Sequence, residues 1–284
     1  MQAERWWRRV RGQWFERHYL PRIMKRTSFW SDVGAENDLV IRTFADHRIV
    51  FHPADAFIGH EILVRGHWQR PVTERAISLL DERGLLKSGG VFVDVGANIG
   101  TQSIYAWLTG KFGRIVAVEP SPAEFEMLQL NMQLNGLSEV SRCHPIAADA
   151  KAGPVTLRLN SVNRGDNRLV EDAADGVPVQ ARPLDDVLAE DGIAPDDVSL
   201  VWIDVQGHEP QAVAGMARTI ASGLPMVIEF NREWYGEERT TAFISALEMT
   251  HDGFIDLRKE TGAVQPLRDL ASVQGESDVL VFRK

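Results

Sequence analysis

The chain has few of the residues that would brace it covalently. Cys143 is its only cysteine among 284 residues, so no internal disulfide can form and no zinc site can rest on paired thiolates. That usage fits a reducing, cytoplasmic setting. No run reaches the roughly 18 apolar residues that cross a bilayer. The amino-terminal stretch has charge but no apolar h-region, so a signal peptide is not expected. Neither a G-x-S-x-G elbow nor a P-loop lysine motif occurs, which leaves hydrolase and NTPase chemistry without a carrier. With 44% hydrophobic and 25% charged residues, the chain can bury a substantial core without staples.

The net charge of −9 is unevenly placed. Residues 1–30 carry eight arginines and lysines against Glu4 and Glu16, a net of six positive charges; the rest carries fifteen negative ones. So acidic a body is a poor general surface for nucleic acid. In the arm, Trp6, Val10 and Trp14 recur at helical spacing beside Trp7 and Phe15, with arginines filling the other positions. Such a helix suits either packing against an acidic surface or peripheral contact with the inner face of a membrane.

The division expected is a basic, Trp-rich helical arm over 1–37 and one domain over 38–284. Within that domain, 38–90 is a lead-in and 91–284 the core. In the lead-in, "RIVFHP" reads as a strand and "RPVTERAISLLDERGLL" as a helix. From 91 onward apolar strands alternate with helices: "VFVDV", "RIVAVEP", "VSRCHPIAAD", "SLVWIDV" and "PMVIEF", with "FIDLR" and "DVLVF" closing the chain. This is the pattern of an α/β fold whose mostly parallel sheet is covered on both faces. A hairpin insertion at 154–182 breaks the rhythm around a polar loop rich in Asn163, Arg164, Asn167 and Arg168, long enough to act as a lid.

"VFVDVGANIG" places a glycine turn between the first core strand and its helix, where doubly wound folds bind nucleotides. Asp94 stands where a pyrophosphate would be repelled. S-adenosylmethionine has no phosphate and carries two positive charges, so Asp94 would attract it, and free N–H groups of Gly96, Ala97, Asn98 and Gly100 would take its carboxylate. Glu119, ending the second strand, can accept both ribose hydroxyls, as it would in a nicotinamide oxidoreductase. Asp149, ending the third, can meet an adenine ring. A strand-end acid is otherwise a helix cap or simply solvated.

In order along the chain, "VFVDVGANIGTQSIYAW", "IVAVEPSPAEFEMLQLNMQLNG", "IAADAKAGPVTLRL", "VWIDVQGHEPQAVAGM" and "VIEFN" resemble the FkbM family of methyltransferases, as does the lead-in "HPADAFIGHEILVRGHWQ". The likeness covers roughly residues 48–283. It implies a class I methyltransferase, Rossmann-like sheet of seven strands with the last antiparallel, S-adenosylmethionine as methyl donor, and a hydroxyl acceptor. It implies that Asp94, Gly96, Asn98, Gly100, Glu119 and Asp149 line the cofactor site and that Asp204 stands by the transferred methyl. Two positions depart from the family: Trp202, where a lysine is common, and Trp68-Gln69, where a Tyr-Glu pair is common.

Methyl transfer to oxygen needs an aligned hydroxyl and a group that takes its proton. Candidates are Asp204 as orienting acid, His208 as base, and Glu209 and Glu229 at the same sheet edge. Asp204, Glu209 and Glu229 are alternatively a Mg²⁺ set, though their spacing is no compact metal motif. Acceptors consistent with the polar loop are saccharides, glycolipids or natural products. A cofactor-binding scaffold without catalysis is the reading outside enzymology, with Trp202 as its support.

Overall fold

Four of the five apolar runs become strands that stay wholly in the main sheet; the third splits between two sheets. The computed structural model describes residues 39–171 and 176–283; the basic arm lies outside them. Among the described residues no helix is long and apolar enough to cross a membrane.

The lead-in folds as a hairpin, β1 (Val40–Thr43) with β2 (Arg48–Phe51), followed by helices α1 (Ile58–Arg65) and α2 (Arg70–Glu82). The core begins with β3 (Gly90–Val95), α3 (Thr101–Leu108), β4 (Phe112–Val118), α4 (Pro122–Leu134) and β5 (Ser141–His144). Pro122 opens α4, where its missing N–H costs nothing, and Gly136 follows its end at φ +70°.

The third expected strand splits at Pro145. Having no N–H to give to a ladder, it ends β5, and β6 (Ile146–Ala148) leaves the main sheet. Strand β6 joins β7 (Gly153–Arg158), β8 (Arg168–Val170) and β9 (Val177–Arg182) in a second sheet of order β6-β9-β7-β8. The expected hairpin is thus three strands of a four-stranded sheet, because β8 forms inside the polar loop and pairs antiparallel with β7.

The chain returns through α5 (Leu184–Glu190) to β10 (Val198–Ile203), then α6 (Glu209–Ala214), α7 (Ala217–Ile220), β11 (Met226–Phe230), α8 (Arg232–Tyr235), α9 (Glu237–Glu248), β12 (Gly253–Asp256), β13 (Gln265–Pro266) and β14 (Ser277–Phe282). The stretch "EPQAVAGMARTIASG" makes two short helices where one was expected; the break falls at Gly215 and Met216.

The main sheet has the order β13-β12-β14-β11-β10-β3-β4-β5. Strand β14 runs antiparallel to both neighbours, and β13 adds a two-residue edge to the seven expected strands. This is a Rossmann-like α/β arrangement, as expected. Val91, Val93 and Val95 pack on one face with Val201, Ile203, Val213 and Leu247. Phe92, Leu200 and Trp202 pack on the other with Ala76, Ile77 and Leu80 of α2. Strand order reverses between β3 and β10, the place where such sheets open a crevice.

Candidate functional site

A cavity of about 230 Å³ opens at that reversal, with Gly96, Asn98, Glu119, Asp204, Gln206 and Glu229 among its walls. The glycines of the turn answer to packing. A Cβ on Gly96 would stand 1.9 Å from the Asp204 carbonyl oxygen, and Gly96 has φ +80°. At Gly100, φ +85°, a Cβ would meet Leu128 at 2.7 Å. Only glycine lets the turn pass this close to β10 and α4.

The expectation of free N–H groups in the turn is corrected. Those of Gly96 and Ala97 both donate to the Val118 carbonyl at 3.0 Å, Gly100 donates to Ala97 at 2.7 Å, and Asn98 donates to Glu119 at 2.8 Å. Ala97 is 1% exposed and faces no cavity.

Asp94 is also placed differently from the expectation. It does not line the cavity; it is buried beneath the turn and accepts the Ser103 hydroxyl at 2.6 Å. Burial lifts its pKa to about 7, against the lowering effect of Ser103. Its visible task is to tie β3 to the first turn of α3.

Backbone strain gathers at the cavity. Among the described residues, the non-glycine positions with positive φ are Gln69 (51°), Asn98 (50°) and Gln206 (54°), and all three line it. Such conformations cost about 1 kcal/mol or more each and persist where the surroundings impose them. The Gln206 amide shows what is gained: its Nε2 donates to Asp204 Oδ1 at 2.8 Å and to Glu229 Oε2 at 2.6 Å. Burial raises the proton affinity of both acids, and the charge of Asp204 raises that of Glu229 further. The pair therefore tends to hold a proton.

Glu119 lines the cavity while its oxygens accept the N–H groups of Asn98 and Ser121, each at 2.8 Å. Burial, more than these bonds offset, lifts its pKa to about 8. Each oxygen still has a second lone pair for a ligand hydroxyl.

Asp149 meets a histidine where an adenine contact was expected. Its Oδ2 lies 2.6 Å from His208 Nε2, and its Oδ1 accepts the Lys151 N–H at 3.1 Å. His208 lines the cavity from the residue preceding α6.

Glu209 is corrected from a candidate catalytic residue to a brace. It is fully buried, accepts N–H groups from Val205 and Gly207 at 3.1 Å, and takes the Tyr235 hydroxyl at 2.8 Å. Burial raises its pKa to about 7. These bonds hold the 204–208 loop in shape, and Glu209 does not line the cavity. The Mg²⁺ set fails with it: among the described residues no three His, Cys, Asp or Glu side chains could hold a metal together.

The polar loop covers one side. Asn163, Arg164, Gly165 and Asn167 line the cavity. Arg164 accepts the Asn98 amide at its carbonyl (3.1 Å) and pairs with Glu124, which is 2% exposed, at 2.5 Å. Arg168 reaches elsewhere, lying 4.4 Å over the Trp234 ring. Trp68 and Gln69 line the cavity, whereas Trp202 is buried under α2 and touches no ligand space. Gln206 was not singled out from the sequence; the Gln-Gly pair at 206–207 is the turn signal that marks it.

The model of the methyltransferase FkbM domain matches residues 94–259. A 31-O-demethyl-FK506 methyltransferase FkbM of Streptomyces tacrolimicus is 30% identical over 160 residues, 46% of this chain and 61% of that protein. Methyltransferase sdnD of Sordaria araneosa is 30% identical over 161 residues, 46% of this chain and 62% of that one. The chain thus spans about three fifths of the curated relatives it matches. The crystal structure of a methyltransferase FkbM from Methylobacillus flagellatus KT superposes with a TM-score of 0.46 at 19% identity, covering 70% of this chain and 45% of that one. With more than half of its residues inside the family match, the chain belongs to the FkbM methyltransferase domain family.

Proposed function

We propose that the chain is an S-adenosylmethionine-dependent methyltransferase acting on a hydroxyl oxygen of a saccharide, glycolipid or natural product. The observation that carries this is the set of acids in the cavity wall. Asp204 and Glu229 stand bridged in its wall with Glu119 nearby. Among the described lining residues Arg164 is the one lysine or arginine, and it is committed to Glu124. Such walls offer a pyrophosphate no free cation among the described residues, which disfavours a nicotinamide cofactor; a ligand bearing a sulfonium and an ammonium can draw these acids into their charged form and pair with them.

When bound, S-adenosylmethionine supplies a methyl group on positively charged sulfur. Asp204, Glu229 and Gln206 would hold its cationic end, and Glu119 its ribose. Gly96 and Asn98 form the adjoining wall. His208, held through Nε2 by Asp149, keeps Nδ1 as an acceptor for the hydroxyl proton. Glu209 fixes the loop that carries His208 and Asp204.

Calorimetric titration with S-adenosylmethionine and with NADH, on the native chain and on Asp204→Asn, tests this reading. Tight binding of the methyl donor, weakened in the variant and absent for NADH, is expected. NADH binding, or none by the methyl donor, overturns it. Donor binding without turnover on any hydroxyl panel favours a scaffold.

A further inference from the structure

A second cavity, of about 720 Å³, opens beside the first. Leu169, Gln206 and His208 line both, so the two spaces meet at the side chains assigned to donor binding and proton transfer. Its other walls come from outside the core crevice: Pro154 and Thr156 on β7, Arg168 and Val170 on β8, Trp234 on α8 and Arg239 on α9.

The two spaces differ in their charged walls. The first gathers Glu119, Asp204, Glu229 and Glu276 against Arg164, which is paired with Glu124. The second carries Arg168 and Arg239 against Glu171, on a protein of net charge −9. Arg168 is fixed over the Trp234 ring at 4.4 Å and pairs with Asp166 at 2.5 Å. Arg239 is exposed, and its hydrogen bond is to the neutral Gln211 amide at 3.2 Å. Arg239 lines the groove, and a guanidinium has more N–H donors than that one bond uses. An anion seated there would gain charge-assisted hydrogen bonds, whereas a second cation would be repelled.

From this juxtaposition we infer that the second cavity is the acceptor site, and that it takes a hydroxylated small molecule bearing a carboxylate, phosphate or sulfate. Arg239 engages the anionic group, with the Arg168–Trp234 stack as the opposite wall. The acceptor hydroxyl then points to His208 at the junction. The inference rests on the methyl-donor reading of the first cavity.

The test uses the full chain loaded with S-adenosylhomocysteine and titrated calorimetrically with glucuronate, glucose 6-phosphate and glucose. At least one anionic sugar is expected to bind, with glucose roughly tenfold weaker or worse. Which of the two binds distinguishes carboxylate from phosphate recognition. Arg239→Gln is expected to weaken the anion roughly tenfold, with S-adenosylhomocysteine affinity unmoved. Equal binding of glucose and the anions, binding of none of the three, or an Arg239→Gln variant that binds the anion as before overturns the inference while leaving the donor reading intact. Failure of S-adenosylhomocysteine itself to bind overturns both.

Discussion

His208 Nε2 and Asp149 Oδ2 lie 2.6 Å apart across 59 residues of sequence. The contact joins the end of β6 to the loop after β10 and engages Nε2, so Nδ1 is the ring nitrogen outside that pair. His208→Ala is expected to bind S-adenosylmethionine normally and lose methyl transfer by roughly 10²- to 10⁴-fold. Asp149→Asn is expected to keep binding, lower kcat, and displace the pH–rate profile, because the imidazole loses the partner that orders its tautomer. Calorimetry and a kcat profile check this; native turnover in His208→Ala sinks the role.

Donor binding is expected to strengthen as pH rises. Asp204 and Glu229 favour the protonated form, through burial and, for Glu229, through the neighbouring acid. A cation that binds their charged form must displace a proton. Titrations in two buffers of different ionisation enthalpy should therefore show proton release near neutrality. Glu229→Gln should abolish most of that release, and equal heats in both buffers would refute the coupling.

The ligand-free protein is expected to melt lower at pH 8.5 than at pH 5.5. Glu119 is raised to about 8, and Asp94 and Glu209 to about 7, all chiefly by burial. A carboxyl held above its unfolded value stabilises the fold fully below the ordinary carboxylate range. It gives that stabilisation up as pH climbs through the folded value. A fall in Tm of roughly 5 °C or more between these conditions is expected. A Tm that rises over this interval would contradict it.

Gly96→Ala is expected to cost about 3 kcal/mol or more, since the added methyl meets the Asp204 carbonyl at 1.9 Å and the backbone sits at φ +80°. Denaturant unfolding measures it. The relief route, moving the 204–208 loop, would carry Asp204 and Gln206 away from Glu229 and is expected to weaken donor binding as well.

Much of this architecture was readable in advance, for physical reasons. Helix α3 was expected from about Thr101 to Leu108 and spans those residues; the apolar runs at 91–95, 198–203 and 226–230 are too continuous for anything but buried strands. The parallel sheet followed from the alternation of apolar strands and helices, while the antiparallel last strand came from the family resemblance. What stayed hidden depends on direction and on distant partners. A motif shows that Asp94 ends a strand, not that its oxygens turn back to Ser103. Glu209 and His208 are adjacent in sequence, and only the loop's own N–H groups decide that one carboxyl is consumed while the imidazole faces the cavity. Asp149 finds its partner 59 residues away, beyond any local pattern.

Pro145 sends β6 out of the main sheet, and that departure has a consequence for how this protein can change. Ile146, Ala147 and Ala148 of β6 wall the first cavity, and β8 of the same small sheet walls the second. The segment 153–182 is joined to the core at its two ends, across the β6–β9 ladder, and through Arg164, which meets Glu124 and Asn98. Exchanging that segment would rewrite one wall of each cavity and leave β3, β4, β10 and their acids in place. Under the function proposed above, the shape of the space can thus drift while the strand-end acids stay fixed.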